Sequence, residues 1–354
     1  MKLRLEKAQE LLKKKDIEAL LIDSNVNCFY LSTFTGTSAR ILLTHKENYF
    51  FTDFRYLEQA KNEIEGFEII EINRNFEENL NKLINDLKIN RIGFESKAVK
   101  YKQYQKYDKV LEAELIAVDS FIEELRIIKD KEEIEKIKKA VLITDQAFEH
   151  ICQFIKPGLS EKEVSLELEF FMKKNGISEK AFDFIVASGK RSSLPHGVAS
   201  DKIIEKGDFI TMDFGGFYQG YCSDMTRTIV LGKADDKQKE IYNIVLKAQL
   251  KVIENIKANM SCKDADAIAR DIINKAGYKE NFGHGLGHGI GLEVHEDPRL
   301  SFASDHNLKA GMVVSNEPGI YIPDWGGVRI EDDLLITDEA CEVLNRSTKE
   351  LIEL

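Results

Sequence analysis

Two acids, Asp213 and Asp224, flank a glycine-rich turn in the stretch 208–230. Strand-like residues lie on either side, and Gly215, Gly216 and Gly220 supply turn chemistry between them. A hairpin there brings the two carboxylates together. Neighbouring carboxylates repel unless a cation lies between them, and a divalent metal is the usual answer. Taken alone, the pair also fits a surface hairpin with two solvated acids. Two further acids stand in similar settings. Glu317 follows the strand-like run 312–316 and precedes Pro318-Gly319, while Glu331 follows 326–330. A buried unpaired carboxylate is costly, so each needs a cation: Arg329 for one of them, or metal ions for all. Histidines cluster as well. Of seven, His284, His288 and His295 fall within 12 residues, in a segment holding five glycines. That glycine content implies close packing or unusual dihedrals rather than a regular helix. A turn with surface histidines is the bland alternative, but it gives so many imidazoles no structural return.

The elements that position these groups must come from a chain of 354 residues, long enough for two domains, with 43% apolar content for packed cores. A net charge of -11 argues against nucleic acid or an anionic membrane as partner. The charged, periodic start at 1–7 does not read as a signal peptide, and no apolar run reaches the roughly 18 residues of a membrane span. The five cysteines (Cys28, Cys152, Cys222, Cys262 and Cys341) form no CxxC pair and are odd in number. A reducing cytoplasm fits that usage.

Periodicity divides the chain into an α/β domain at 1–122 and an α+β domain at 123–354. In the first, the pattern predicts helices at 3–15, 53–65 (capped by Asp53), 76–87 and 101–107. It predicts strands at 19–22, 41–44, 49–52, 67–71, 91–94 and 110–114. This alternation points to a mostly parallel or mixed sheet covered by helices. No glycine-rich phosphate loop opens any of these helices, so a dinucleotide site has no support. In the second domain, Asp130 with Glu133 and Ser160 with Glu163 mark the starts of two helices, separated by the breakers Pro157-Gly158. About 101 residues on, the pattern returns: Ile155-Lys156 is echoed by Ile256-Lys257, Ser160 by Ser261, and Gly176 by Gly277. Chance repetition is the alternative to two similar halves about a shared sheet, with the site in the cleft between them. On that arrangement His196 and His295 are counterparts from opposite sides.

Six motifs then occur in order: 185–189 with Leu194-Pro195-His196-Gly197, Asp213 with Asp224, 283–291, Val294-His295-Glu296, Glu317-Pro318-Gly319, and Val328-Arg329-Ile330-Glu331. The set resembles the dinuclear metallopeptidases of the prolidase and Xaa-Pro aminopeptidase group. Their catalytic domain, the pita-bread fold with internal pseudo-twofold symmetry, is shared with methionine aminopeptidase and creatinase. The resemblance covers essentially the whole chain, including a creatinase/prolidase-like N-terminal domain.

The resemblance implies two divalent ions per subunit, Mn²⁺ first, with Co²⁺ or Zn²⁺ as alternatives. Asp213, Asp224, His288, Glu317 and Glu331 would hold them, with Asp224 and Glu331 bridging. Glu317 would also pass a proton, His295 would stabilise the oxyanion, and His196 would contact substrate. His284 would line the pocket and Arg329 would orient ligand carboxylates. Tyr321 would pack on the proline ring or serve as a core residue. Arg299 would meet the C-terminal carboxylate of a dipeptide. The expected reaction is hydrolysis of the bond before proline in Xaa-Pro dipeptides. The alternative is removal of the first residue from longer Xaa-Pro peptides, and a remoter one is a non-enzymatic binding module on this fold. The complete ligand set argues against the last and against a creatinase-like activity. A homodimer is the form the resemblance implies.

Overall fold

The computed structural model describes residues 2–72 and 75–354. Contacts divide the chain into two compact units, the first ending at Arg126 and the second spanning Ile127–Leu354.

In the first unit, α1 (Lys2–Lys14) turns Leu5, Ala8 and Leu12 inward at helical spacing. Then come β1 (Ala19–Ile22), α2 (Asn25–Ser32), β2 (Arg40–Thr44) and β3 (Asn48–Thr52). A single 3₁₀ turn capped by Asp53 leads into α3 (Leu57–Glu63), followed by β4 (Glu68–Glu71) and α4 (Phe76–Asp86). The unit closes with β5 (Arg91–Glu95), α5 (Tyr101–Val110), β6 (Glu114–Val118) and the short α6 (Glu123–Arg126). The sheet order is β4-β3-β2-β1-β5-β6. It is mixed, antiparallel at β1–β2 and β2–β3 and parallel elsewhere. One strand lies later than the sequence pattern predicts. Val110 and Leu111 resemble the start of a strand at 110–114, but Val110 completes α5 and the Leu111 N–H donates to the Tyr107 carbonyl. Burying Leu111 at a helix end satisfies it without a sheet. Helix α2 is absent from the sequence expectation; only Ser24, whose side chain accepts from the Asn27 N–H, announces it.

In the second unit, α7 (Lys131–Phe154) and α8 (Glu161–Lys174) both start with a full capping box, Asp130 with Glu133 and Ser160 with Glu163. They are followed by β7 (Glu179–Lys180), β8 (Ile185–Ser188), β9 (Phe209–Phe214), β10 (Gly216–Tyr218), β11 (Tyr221–Cys222) and β12 (Met225–Val230). The later half repeats the plan: α9 (Asp236–Asn255), α10 (Cys262–Lys275), then β13 (Gly287–Gly289), β14 (Glu296–Leu300) and β15 (Val313–Asn316). Strands β16 (Gly319–Ile322), β17 (Gly326–Arg329), β18 (Asp332–Ile336) and β19 (Cys341–Val343) complete it.

Each half packs its helix pair on its own sheet. Phe148, Ile151, Val164 and Leu168 meet Val186, Ile210 and Met212 in the order β12-β9-β8. Ile241, Val245, Ala265 and Ala269 meet Val314, Leu334 and Ile336 in the order β14-β13-β15-β18-β19. Each of the larger of these buried side chains contributes about 1.5–3 kcal/mol, and each alanine less. The echo extends to detail: Ser160 and Ser261 each cap a helix and each make an isolated antiparallel bridge, to Ile203 and Asn307. The second unit is thus an α+β body with internal repetition, and the first an α/β body.

Candidate metal centre

The stretch 208–230 forms two nested hairpins. Strands β9 and β12 pair antiparallel with Asp213 opposite Thr226 and Phe214 opposite Met225. Between them β10 and β11 close on Gln219 and Gly220, both at positive φ, as a primed two-residue turn requires. Asp224 precedes β12 by one residue, so strand alternation puts Thr226 on its face and Arg227 on the other. Arg227 is fully buried there. It donates from Nη2 to Asp332 Oδ1 (2.7 Å) and from Nη1 to the Glu331 carbonyl. In this way it fixes the backbone that carries Glu331.

His288 comes from the short β13 between two glycines. A Cβ at Gly287 would strike the Ser315 carbonyl and one at Gly289 the Asp297 carbonyl. The glycines therefore serve close backbone approach, which places His288 beside β15 and the residue after it, Glu317. All five candidate ligands lie within one residue of a strand end.

Asp224, His288 and Glu331 offer ligand atoms within 4.8 Å of one another, and all three are buried. His288 Nε2 lies 3.3 Å from Glu317 Oε1 and 3.8 Å from Asp224 Oδ2. The carbonyl of Gly289, 3.1 Å from His288 Nδ1, can only accept, so it fixes the proton on Nδ1. That leaves Nε2 to face the two carboxylates, the ring atom a metal would take. Asp213 Oδ1 and Asp224 Oδ1 are buried with no hydrogen-bond partner among the described residues. Four carboxylates meet one guanidinium here. Arg329 donates to Asp213 Oδ2, to Thr226 Oγ1 (2.9 Å) and to the Tyr321 hydroxyl (2.7 Å). Thr226 Oγ1 in turn donates to Glu331 Oε2 (2.6 Å). The cluster is three positive charges short of neutrality, a deficit that protons or divalent metal must fill.

Burial, and then Glu331, Asp213 and other acids, push Asp224 well above the usual carboxylate range. Burial, Glu317 and Asp213 do the same to Glu331. Burial also raises Asp213, against the pull of Arg329. Glu317 goes the other way. Burial would raise it, but the His288 hydrogen bond and the nearby positive charge outweigh that and hold it at about 2.

Carboxyls raised in the folded state hold protons that the unfolded chain releases, so their stabilisation is lost as pH rises through the folded values. Metal-free protein should therefore weaken as pH rises above the ordinary carboxylate range, while bound metal would replace those protons. The melting-temperature gain from added Mn²⁺ after chelation is expected to widen with pH. At a hundredfold excess over Kd it should approach about 2.7 kcal/mol, or roughly 5–10 °C. A gain independent of pH would show that the carboxylates do not exchange protons for metal.

A cavity of about 700 Å³ opens on this cluster. Its wall includes all five candidate ligands and Arg329, with His196, His284, His295 and Arg299. Phe182, Ile185, Pro195 and Val198 add an apolar part, of which Ile185 and Pro195 lie in the first of the six motifs and Phe182 and Val198 outside them. The His295 ring centre is 4.3 Å from that of His288. Burial, His288 and Arg299 lower its pKa to about 4, so it is neutral at pH 7. His284 is committed elsewhere: Nδ1 faces the Gly285 carbonyl (2.8 Å) and Nε2 the Tyr321 hydroxyl (3.0 Å). It lines the cavity without a free nitrogen. Tyr321 is buried, and its hydroxyl meets Arg329 Nη1 (2.7 Å) and His284 Nε2 (3.0 Å). Arg299 lies opposite His288 across β13 and β14, so both side chains leave the same face. Thr226, Arg227 and Asp333, whose Oδ2 accepts the Asp224 N–H (3.1 Å), are functional neighbours absent from the sequence reading. Only Thr226 carries a signal, its period-2 spacing from Asp224.

Family models match this chain over residues 4–128 (creatinase/prolidase N-terminal domain) and 135–338 (metallopeptidase family M24). The chain is similar to a solved Xaa-Pro dipeptidase from Bacillus anthracis, at 50% identity over 99% of each chain with a TM-score of 0.97. It is 43% identical to an Xaa-Pro dipeptidase of Pyrococcus furiosus, over 99% of this chain and 100% of the other. A solved X-Pro aminopeptidase from Thermotoga maritima is 40% identical, covering 98% of this chain and 100% of that one, with a TM-score of 0.92.

Proposed function

This chain belongs to metallopeptidase family M24, and we propose that it hydrolyses the bond before proline in Xaa-Pro dipeptides. The observation that carries this reading is Arg299 in the wall of the cavity that holds the carboxylate cluster. A dipeptide has two charged ends close together. Its amine needs acids or a metal, its carboxylate needs a cation, and one cavity offers both. The similarity to two proteins called Xaa-Pro dipeptidases supports the same choice.

We assign Asp213, Asp224, His288, Glu317 and Glu331 as ligands of two divalent ions, Mn²⁺ before Co²⁺ or Zn²⁺. The charge deficit and the His288 Nε2 facing Glu317 and Asp224 support two ions, and a donor set of four carboxylates and one imidazole suits Mn²⁺. Bound there, the ions would supply a nucleophilic water near neutral pH and polarise the scissile carbonyl. Glu317, held as a carboxylate, is the group able to take a proton, on an oxygen adjacent to His288. Neutral His295 offers a ring N–H to the oxygen on which charge develops. His196 reaches the same cavity from the loop after β8 and contacts the substrate. Arg329 keeps Asp213 and, through Thr226, Glu331 in place. A homodimer in the cytoplasm completes the proposal. Five free thiols suit a reducing compartment, and light scattering on the purified protein tests the dimer.

The second reading, removal of the first residue from longer Xaa-Pro peptides, draws on the similarity to the Thermotoga maritima aminopeptidase. Turnover of Ala-Pro and Leu-Pro against Gly-Pro-Gly separates the two. The dipeptides are expected to be the better substrates by kcat/KM, and a much faster tripeptide would establish the aminopeptidase instead.

A further inference from the structure

The segment 189–199, which follows β8, brings His196 and Pro195 to the cavity, yet little apolar burial of its own holds it there. Leu194 and Val198, on either side of these two residues, are 50% and 49% exposed. Beside a backbone bridge from Val198 to Ile185, its side-chain anchorage is polar and centres on one residue. Glu161, the first residue of α8, is fully buried, and both its oxygens are used by the loop. Oε1 accepts from the Ser188 N–H (2.7 Å) and the Ser188 hydroxyl (2.9 Å). Oε2 accepts from the Ser200 N–H (3.0 Å), the Ser200 hydroxyl (2.7 Å) and Arg191 Nη1. Ser188, the last residue of β8, and Ser200 bracket the segment 189–199. Between them the chain leans on the catalytic sheet, where the Gly327 N–H donates to Ser192 Oγ (2.8 Å) and Arg329 Nη1 to the Pro195 carbonyl (3.3 Å).

We propose that Glu161 is a positioning residue: its carboxylate pins both ends of the loop 189–199 and so sets where His196 stands over the bound dipeptide. The inference rests on the proposed peptidase reading for its kinetics, but the clamp itself does not. A buried carboxylate is poorly suited to adding stability, because its desolvation offsets what its hydrogen bonds return. Its geometric consequence here is specific: five donors, from the residues on either side of 189–199 and from Arg191 within it, meet on one rigid helix end. Glu161 touches neither the ligands nor the cavity, so it acts on substrate only through the loop.

Glu161→Gln keeps the shape but turns part of the acceptor into a donor facing donors. It should lower kcat/KM for Ala-Pro by about tenfold to a hundredfold, the scale of a catalytic group displaced by roughly an ångström. The loss should fall on the same parameter, kcat or KM, that His196→Ala changes. Metal content should be unchanged. Amide exchange should accelerate in residues 189–199 and not in β9 or β13. The deciding measurement is the double-mutant cycle. If Glu161 acts through His196, the Glu161→Gln/His196→Ala protein should be no worse than His196→Ala alone. Multiplying losses, or unchanged exchange in the loop, would overturn the proposal. Should Glu161→Gln not fold, Ser200→Ala removes a single donor and carries the same cycle with a smaller loss. If the native enzyme cleaved no Xaa-Pro peptide, the peptidase reading would fail, and the exchange measurement would still decide the clamp.

Discussion

Glu331→Ala is expected to nearly abolish turnover while leaving the fold intact. Glu331 is buried, shares Thr226 with Arg329, and stands within ligand distance of Asp224 and His288. If it bridges two ions, its loss removes a charged partner from both. Breaking a buried charged contact costs about 3–5 kcal/mol, which is roughly 10²–10⁴-fold in kcat/KM. Metal content after dialysis should fall with it. The metal-free protein should respond in the opposite sense. There burial and the neighbouring Glu317 and Asp213 oppose its ionisation, so the carboxylate works against the fold rather than supporting it. The shape-preserving Glu331→Gln should therefore melt, without metal, at or above the native chain's temperature, and should lose most of the gain on adding Mn²⁺. Stability is given up at the site for the sake of binding. Full activity with both metals bound in Glu331→Ala would exclude a bridging role.

The site was legible in the sequence wherever local pattern and chemistry coincide. Asp213 and Asp224 could be paired because alternating strands around glycines specify a hairpin, and the structure adds only that the turn is a second hairpin at Gln219-Gly220. The repeat could be found because a helix start is a local signal: Ser160 and Ser261 must accept from N–H groups three residues on, wherever the helix packs. The five candidate ligands were found by resemblance as much as by physics, since an isolated Glu317 or Glu331 reads as a surface acid.

The features that stayed hidden depend on distant partners. Glu161 looks like any acid in a first helical turn, and its donors lie 27 and 39 residues away. Arg227 looks like a strand's solvent-facing cation, yet is buried against Asp332. Helix α2 has a sequence, Asn-Val-Asn-Cys-Phe-Tyr-Leu-Ser, with poor helix propensity, and it forms because Cys28, Tyr30 and Leu31 pack inward. Tyr321 shows the same limit. An aromatic two residues after Gly319 gives no hint in the sequence that its hydroxyl bonds Arg329 and His284.

Arg299 decides between the two peptidase readings, and its replacement should have an effect of comparable size. Strand register places it across from His288, it lines the cavity, and its charge is felt at His295. If it pairs with the carboxylate of a bound dipeptide, Arg299→Ala should raise KM for Ala-Pro and lower kcat/KM. A lost charged partner in a desolvated site costs on the order of 2–5 kcal/mol, and the outward placement of Arg299 sets the expectation at the lower end. Metal content should not change, because Arg299 touches no candidate ligand in any hydrogen bond or ion pair described. Arg299→Lys should recover only part of the loss, since an ammonium cannot reproduce a bidentate fork. The amide of the same dipeptide lacks the charge. It should be a poor substrate for the native enzyme and nearly indifferent to the substitution. The rival is an arginine at the rim of an aminopeptidase cleft, where acid and amide suffer alike or not at all. The quantity to measure is the ratio of kcat/KM for Ala-Pro over Ala-Pro amide in the native and Arg299→Ala enzymes. A ratio that collapses toward unity in the variant identifies the carboxylate clamp, whereas an unchanged ratio removes Arg299 from substrate recognition and leaves the aminopeptidase as the better reading.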